Sequence, residues 1–98
     1  MHYNALFGIG SAHFAKGDYR EAVKWVEKAL SEKPSAMWAY RLLATAYANA
    51  GRLEEARWAA SKLRAAYPES NIKSIGAIST LGAMRGFVEG LRLAGIPE

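Results

Sequence analysis

The side chains best suited to proton transfer or nucleophilic attack in this 98-residue chain are two histidines, His2 and His13, and nine acids. Catalysis needs such a group held against a partner group. His2 stands near an end that is expected to fray, while Glu21, Glu54 and Glu55 fall in the first turns of expected helices, where a carboxylate suits the helix dipole. There is no cysteine, and with it no thiolate nucleophile, thiolate metal site or disulfide framework. No glycine-rich phosphate loop, metal-ligand spacing or paired-carboxylate arrangement is present. The expectation is a non-enzyme without cofactor or metal, whose function is contact with another molecule.

What would position the contacting residues is an internal repeat. The stretch GDYREAVKWVEKALSEKP, Gly17 to Pro34, is echoed by GRLEEARWAASKLRAAYP, Gly51 to Pro68. Gly17, Ala22 and Pro34 return as Gly51, Ala56 and Pro68, each 34 positions later, and Ala5/Ala39, Ala12/Ala46, Glu21/Glu55 and Lys28/Lys62 obey the same offset. One fixed period, with a glycine between two helical stretches and a proline after them, resembles the tetratricopeptide repeat. The resemblance implies an all-α, right-handed α-α superhelix: two helix-turn-helix repeats, about 3–34 and 35–68, with a cap over 69–98, in one domain spanning 1–98.

The residues support each element independently. Leu6, Ile9, Gly10 and His13 make the i, i+3, i+4, i+7 stripe of a first helix over 3–16. Gly17 is suited to stop it, because glycine takes a positive φ at little cost. Asp18 is the expected N-cap of the next helix, with Glu21 completing a capping box. So short a turn makes the pair antiparallel. The second helix carries Ala22, Val26, Ala29 and Leu30 on one stripe to about Glu32 and is ended by Pro34. Ser35 is the next candidate N-cap. The second pair repeats the scheme, with a helix over about 36–50 placing Tyr40, Leu43, Ala44 and Tyr47 inward. After Gly51 comes a partner carrying Ala56, Ala60 and Leu63, and Arg52 in place of Asp18 predicts a poorer start for it.

After Pro68 the period fails: the register puts Arg85 at the turn glycine, Gly90 at the packing alanine and Pro97 inside a helix. A third full repeat is excluded. The tail predicts a short helix near 71–79, a break around 79–82 and a last helix to about Ala94, striped by Met84, Phe87, Val88 and Leu91 and stopped by Gly95 and Pro97. It reads as a cap, because a terminal repeat otherwise leaves one apolar face in water.

A chain this short leaves much apolar surface near solvent, so the core is expected to be shallow and elongated, or shared. Hydrophobic residues make up 51% of the chain, yet no uncharged apolar run approaches the roughly 18 residues of a membrane span. MHYNALFG lacks the pattern of a secretory signal. A soluble, cytoplasmic protein is expected. The net charge is +4, but the thirteen basic residues are scattered from Lys16 to Arg92 among acids. A nucleic-acid footprint clusters them on one face, so no nucleic-acid partner is expected.

The family resemblance implies more. Its A helices line a concave face, and the matching positions are Asn4, Phe7, Ser11 and Phe14 in the first repeat and Trp38, Arg41, Thr45 and Ala48 in the second. Aromatics beside an arginine have the composition of a docking site for a peptide or helix. An external partner, a second copy of the chain, or the chain's own C-terminal cap are the three ways to cover that face. Small residues at Gly10 and Ala44 are implied to let paired helices approach closely. His13 takes the slot of an inward tyrosine and is expected as a packed, hydrogen-bonded core residue. Trp25 and Trp58, on the B helices, are expected to pad seams with the next repeat. The clamp that some members use for chaperone tails is absent, its places being held by Phe7, Ser11, Leu42, Ile72 and Gly76. Finally, GFVEGLRLAGIPE is similar to the C-terminal end of bacterial adenylate/guanylate cyclases that carry these repeats. That implies a module within a larger regulatory protein, with homo-oligomerisation as the alternative role.

Overall fold

A computed structural model describes residues 2–69, 71–72 and 86–96. Its elements are α1 (Tyr3–Ala15), α2 (Tyr19–Glu32), a 3₁₀ turn (Met37–Ala39), α3 (Tyr40–Asn49), α4 (Leu53–Ala66) and α5 (Phe87–Leu93). No strand occurs among the described residues, and the fold is an all-α helical repeat. Apart from Asn71 and Ile72, the expected helix near 71–79, the break after it and Met84 lie outside the described residues.

The two hairpins close by one device. Gly17 and Gly51 adopt φ of +82° and +83°. Beside each glycine, the next residue's N–H reaches back to the helix: Asp18 to the His13 carbonyl and Arg52 to the Tyr47 carbonyl, both at 2.9 Å. Gly17 and Gly51 themselves donate to the Phe14 and Ala48 carbonyls. These are the paired bonds of a Schellman turn, and only a residue free of the Cβ penalty closes them cheaply.

The expected capping box does not form. Asp18 makes no side-chain cap bond. It is already fixed as the closing residue of the turn, and its carboxylate lies 3.6 Å from His13 Nδ1. Arg52 therefore starts its helix no worse than Asp18 does, and it adds a two-pronged contact to Glu55, Nε to Oε1 at 2.7 Å and Nη2 to Oε2 at 2.6 Å. The second A helix also opens differently from expectation: Ser35 does not cap it, and residues 37–39 wind as a 3₁₀ turn before α3 begins.

Packing follows the small positions. Gly10 is buried against α2: a Cβ there would stand 2.8 Å from Val26 Cγ2 and 3.3 Å from the Ala22 carbonyl oxygen. Ala44 is fully buried at the equivalent place. Between the repeats, α3 packs on α2, and the Tyr47 hydroxyl donates to the Glu27 carboxylate. Burial, reinforced by that carboxylate, pushes the Tyr47 phenol well above its ordinary range, so it remains a donor. His13, the counterpart of Tyr47, is not a core residue. Its side chain is 27% exposed, because no helix among the described residues covers that side of α1 as α2 covers α3.

The last described helix, α5, does not extend the stack but lies back on α3 and meets α4 only marginally.

Two outcomes test this account. Gly10→Leu overpacks the α1–α2 contact and lowers stability by about 2 kcal/mol, whereas Gly8→Ala, whose added methyl meets nothing within 4 Å, leaves it unchanged or raises it by about 0.5–1 kcal/mol through helix propensity. Thermal unfolding followed by circular dichroism separates the two. The hydrogen bond from Arg52 holds the Glu55 carboxyl below its usual range. A carboxyl lowered in this way stabilises the fold above the ordinary glutamate pKa and ceases to do so as pH falls through the lowered value. The melting-temperature gap between wild type and Glu55→Gln is therefore present at neutral pH and closes in acid.

Candidate interaction surface

The surface that carries the expected positions is built from α1, the 3₁₀ turn and α3, and it divides into an open rim and a closed floor. On the rim, the Phe7 and Trp38 rings meet edge to face, with centroids 4.8 Å apart, on the same side of the stack. Trp38 also approaches Tyr3, at 6.4 Å. Phe7, Trp38 and Tyr3 are each partly buried, Asn4 is exposed and Ser11 is partly buried beside them. Arg41 Nε donates to the Trp38 carbonyl at 3.1 Å, which holds the guanidinium against the Trp38 backbone. Lys33 Nζ sits 4.7 Å over the Tyr3 ring and donates to its hydroxyl at 3.3 Å. Neither cation pairs with a carboxylate among the described residues.

The floor is different. Phe14 and Thr45 are fully buried and Ala48 nearly so, because α5 lies over them. Phe87 of α5 meets Phe14 edge-on at 6.1 Å, and Tyr19 flanks Phe14 at 5.1 Å. Thr45 Oγ1 donates to the Phe87 carbonyl at 2.9 Å, and Asn49 Nδ2 donates to the Gly86 carbonyl at 2.9 Å. Of the positions expected to face a partner, Asn4, Phe7, Ser11, Trp38 and Arg41 are therefore accessible, while Phe14, Thr45 and Ala48 are covered by the chain itself.

Four contributors escaped the sequence reading: Tyr3, Lys33, Asn49 and Gly90. Tyr3 precedes Phe7, and Asn49 follows Thr45, by one helical turn, a spacing that could have marked them. Lys33 reaches the rim only through the geometry of the hairpin. The repeat register places Gly90 at the packing-alanine position, and it is buried where a Cβ would fall 1.8 Å from Thr45 Oγ1.

Among the described residues, the tryptophans of the B helices meet residues of their own repeats. Trp25 lines a shallow cleft of about 400 Å³ with Leu6, Lys28, Ser31 and Glu32, all of the first repeat, and Lys28 Nζ lies 4.7 Å over its ring. Trp58 is 49% exposed and meets Tyr40 edge-on at 5.8 Å.

Two hairpins of the same build, offset by 34 residues and closed by the same glycine turn, find their counterpart in a family model. Residues 13–77, more than half of the chain, match the tetratricopeptide repeat. The chain belongs to the tetratricopeptide repeat family. The match starts inside α1 and runs past α4, covering the inter-repeat packing. Tetratricopeptide repeats in general act as protein–protein interaction scaffolds and are generally non-catalytic. No curated protein and no solved structure matches the chain. Among the described residues no three His, Cys, Asp or Glu side chains are grouped to hold a metal, and no helix is long and apolar enough to cross a membrane.

Proposed function

We propose that this chain is an interaction module whose concave rim takes a peptide or helix of another protein. The observation that carries it is the Phe7–Trp38 pair, half-open and in ring contact, with Arg41 and Lys33 nearby and paired with no acid among the described residues. Such a rim suits a partner that inserts an apolar side chain and sets a carboxylate beside it, since aromatic and arginine side chains supply most of the energy at interfaces. In this reading residues 1–98 act as one domain within a larger bacterial, cytoplasmic regulatory protein, such as a nucleotide cyclase carrying these repeats. The likeness of GFVEGLRLAGIPE to the ends of such cyclases supports that setting. Neither nucleic acid nor membrane takes part.

The test is panning of a random peptide display library on the full chain. Peptides selected on wild type lose at least about tenfold in affinity for the Phe7→Ala/Trp38→Ala double variant and keep it for Trp58→Ala, with helicity unchanged in both. Selected peptides indifferent to the double variant would defeat the reading.

A second reading, self-association, has its own observation. Ala39, Leu43 and Ala46 are buried against the preceding hairpin, while their counterparts Ala5 and Ala12 are exposed and Ile9 is only partly buried. That flank of α1 repeats a buried seam with nothing on it among the described residues. Light scattering on this reading gives twice 10.7 kDa for wild type and 10.7 kDa for Ile9→Glu. A wild-type particle of single mass at high concentration counts against it.

A further inference from the structure

The floor of the concave side is occupied in a manner that resembles a bound peptide more than a packed cap. We propose that residues 86–96 are a tethered ligand of the repeat body, and that the seat they fill accepts in trans a short helix of the pattern Gly-Phe-x-x-Gly-Leu. The proposal rests on the preceding reading of the concave side as a protein-binding face and adds the chemistry that a second part of that face recognises.

Four observations carry it. Side chains of the repeat body read backbone atoms of the incoming segment: Thr45 Oγ1 donates to the Phe87 carbonyl, and Asn49 Nδ2 to the Gly86 carbonyl. Backbone capture is how a groove holds a peptide, and side-chain pockets then select its sequence. Phe87 is such a pocketed anchor, fully buried and edge-on to Phe14.

Gly90 is the selecting notch. A Cβ there would lie 1.8 Å from Thr45 Oγ1 and 2.6 Å from Asn49 Nδ2, so only glycine at the fifth position lets the helix descend onto the two residues that hold its first turn. Leu91 and Ile96 bury the same side, while Glu89, Arg92 and Leu93 face outward, which makes the segment amphipathic.

The third observation is length. A helix of seven residues does not persist alone in water, so its helicity is a property of the seat. The fourth is where the repeat body buries its own seams. The α1–α2, α2–α3 and α3–α4 contacts run through Val23, Val26, Ala29, Ala56, Ala59 and Leu63, and α5 is an element of none of them. On this proposal those three seams persist when the segment lifts off, leaving Phe14, Thr45 and Asn49 as a vacated site, although Phe87, Leu91, Ala94 and Ile96 complete the same apolar core when seated.

The experiment uses the full chain and a fluorescein-labelled synthetic peptide, GFVEGLRLAGI, followed by anisotropy. In wild type the tethered copy competes at high effective concentration, so the peptide binds weakly. In Gly90→Leu the tethered copy cannot seat, and the same peptide binds at least about tenfold more tightly. A peptide carrying the matching glycine-to-leucine change binds neither protein. Equal peptide affinity for wild type and Gly90→Leu would overturn the proposal.

Because Gly90→Leu could disturb folding, amide exchange on the unaltered chain gives an independent answer. The Gly90, Ala94 and Ile96 amides, bonded within the segment, should exchange by local opening while those of α3 stay protected. Exchange of both sets only through global unfolding would make α5 an integral part of the core and end the proposal. Library peptides that bind the Phe7–Trp38 rim while GFVEGLRLAGI binds neither protein would also overturn it, and would leave the rim reading standing. Failure of every peptide to bind would remove both.

Discussion

Seven consecutive residues of α3, Leu42 to Ala48, are buried, and this enclosure is the constraint on which the rest depends. A helix at a protein surface keeps one face in water. α3 has none over that span, because α2, α4 and α5 each take a side of it. The sequence that fills it is LLATAYA, apolar but for Thr45 and the Tyr47 hydroxyl. Its one buried polar side chain without an aromatic body, Thr45, is satisfied by the Phe87 carbonyl, which removes the cost of an orphaned hydroxyl in an apolar setting.

The first hairpin lives under weaker constraint. α1 is covered by α2 on one side and by nothing described on the flank of Ala5, Ile9 and Ala12, so its residues carry the marks of an interior helix in a partly exterior place. The difference between His13 and Tyr47 follows directly. The same repeat position is a partly buried imidazole near Asp18 in one copy and a buried phenol tied to Glu27 in the other. Environment, not position, decides what the side chain does.

Much of the architecture was legible because it is local. The glycine stops, the antiparallel pairing and the small packing positions are all set within about one repeat, and periodicity exposes them. The open rim was legible in the same way, since Phe7 and Trp38 are placed by the repeat register. The capping box at Asp18 does not form because the turn that ends one helix also fixes the residue that begins the next. The closed floor was not legible because it depends on contacts between Thr45 and Gly86–Phe87, some 41–42 positions apart. A stripe of Phe87 and Leu91 says that a helix has an apolar side but not which surface receives it. Gly90 looked like a defect in the repeat and is instead a point of close approach.

The return of α5 to α3 also sets the order in which the molecule can assemble. Every other described helix packs on its neighbour in the chain, and topologies of low contact order form quickly. The segment from Gly86 onward must first close a long loop, whose entropic cost grows with its length, before any of its contacts is made. The hairpins are thus free to fold as the chain emerges, and the groove is filled last.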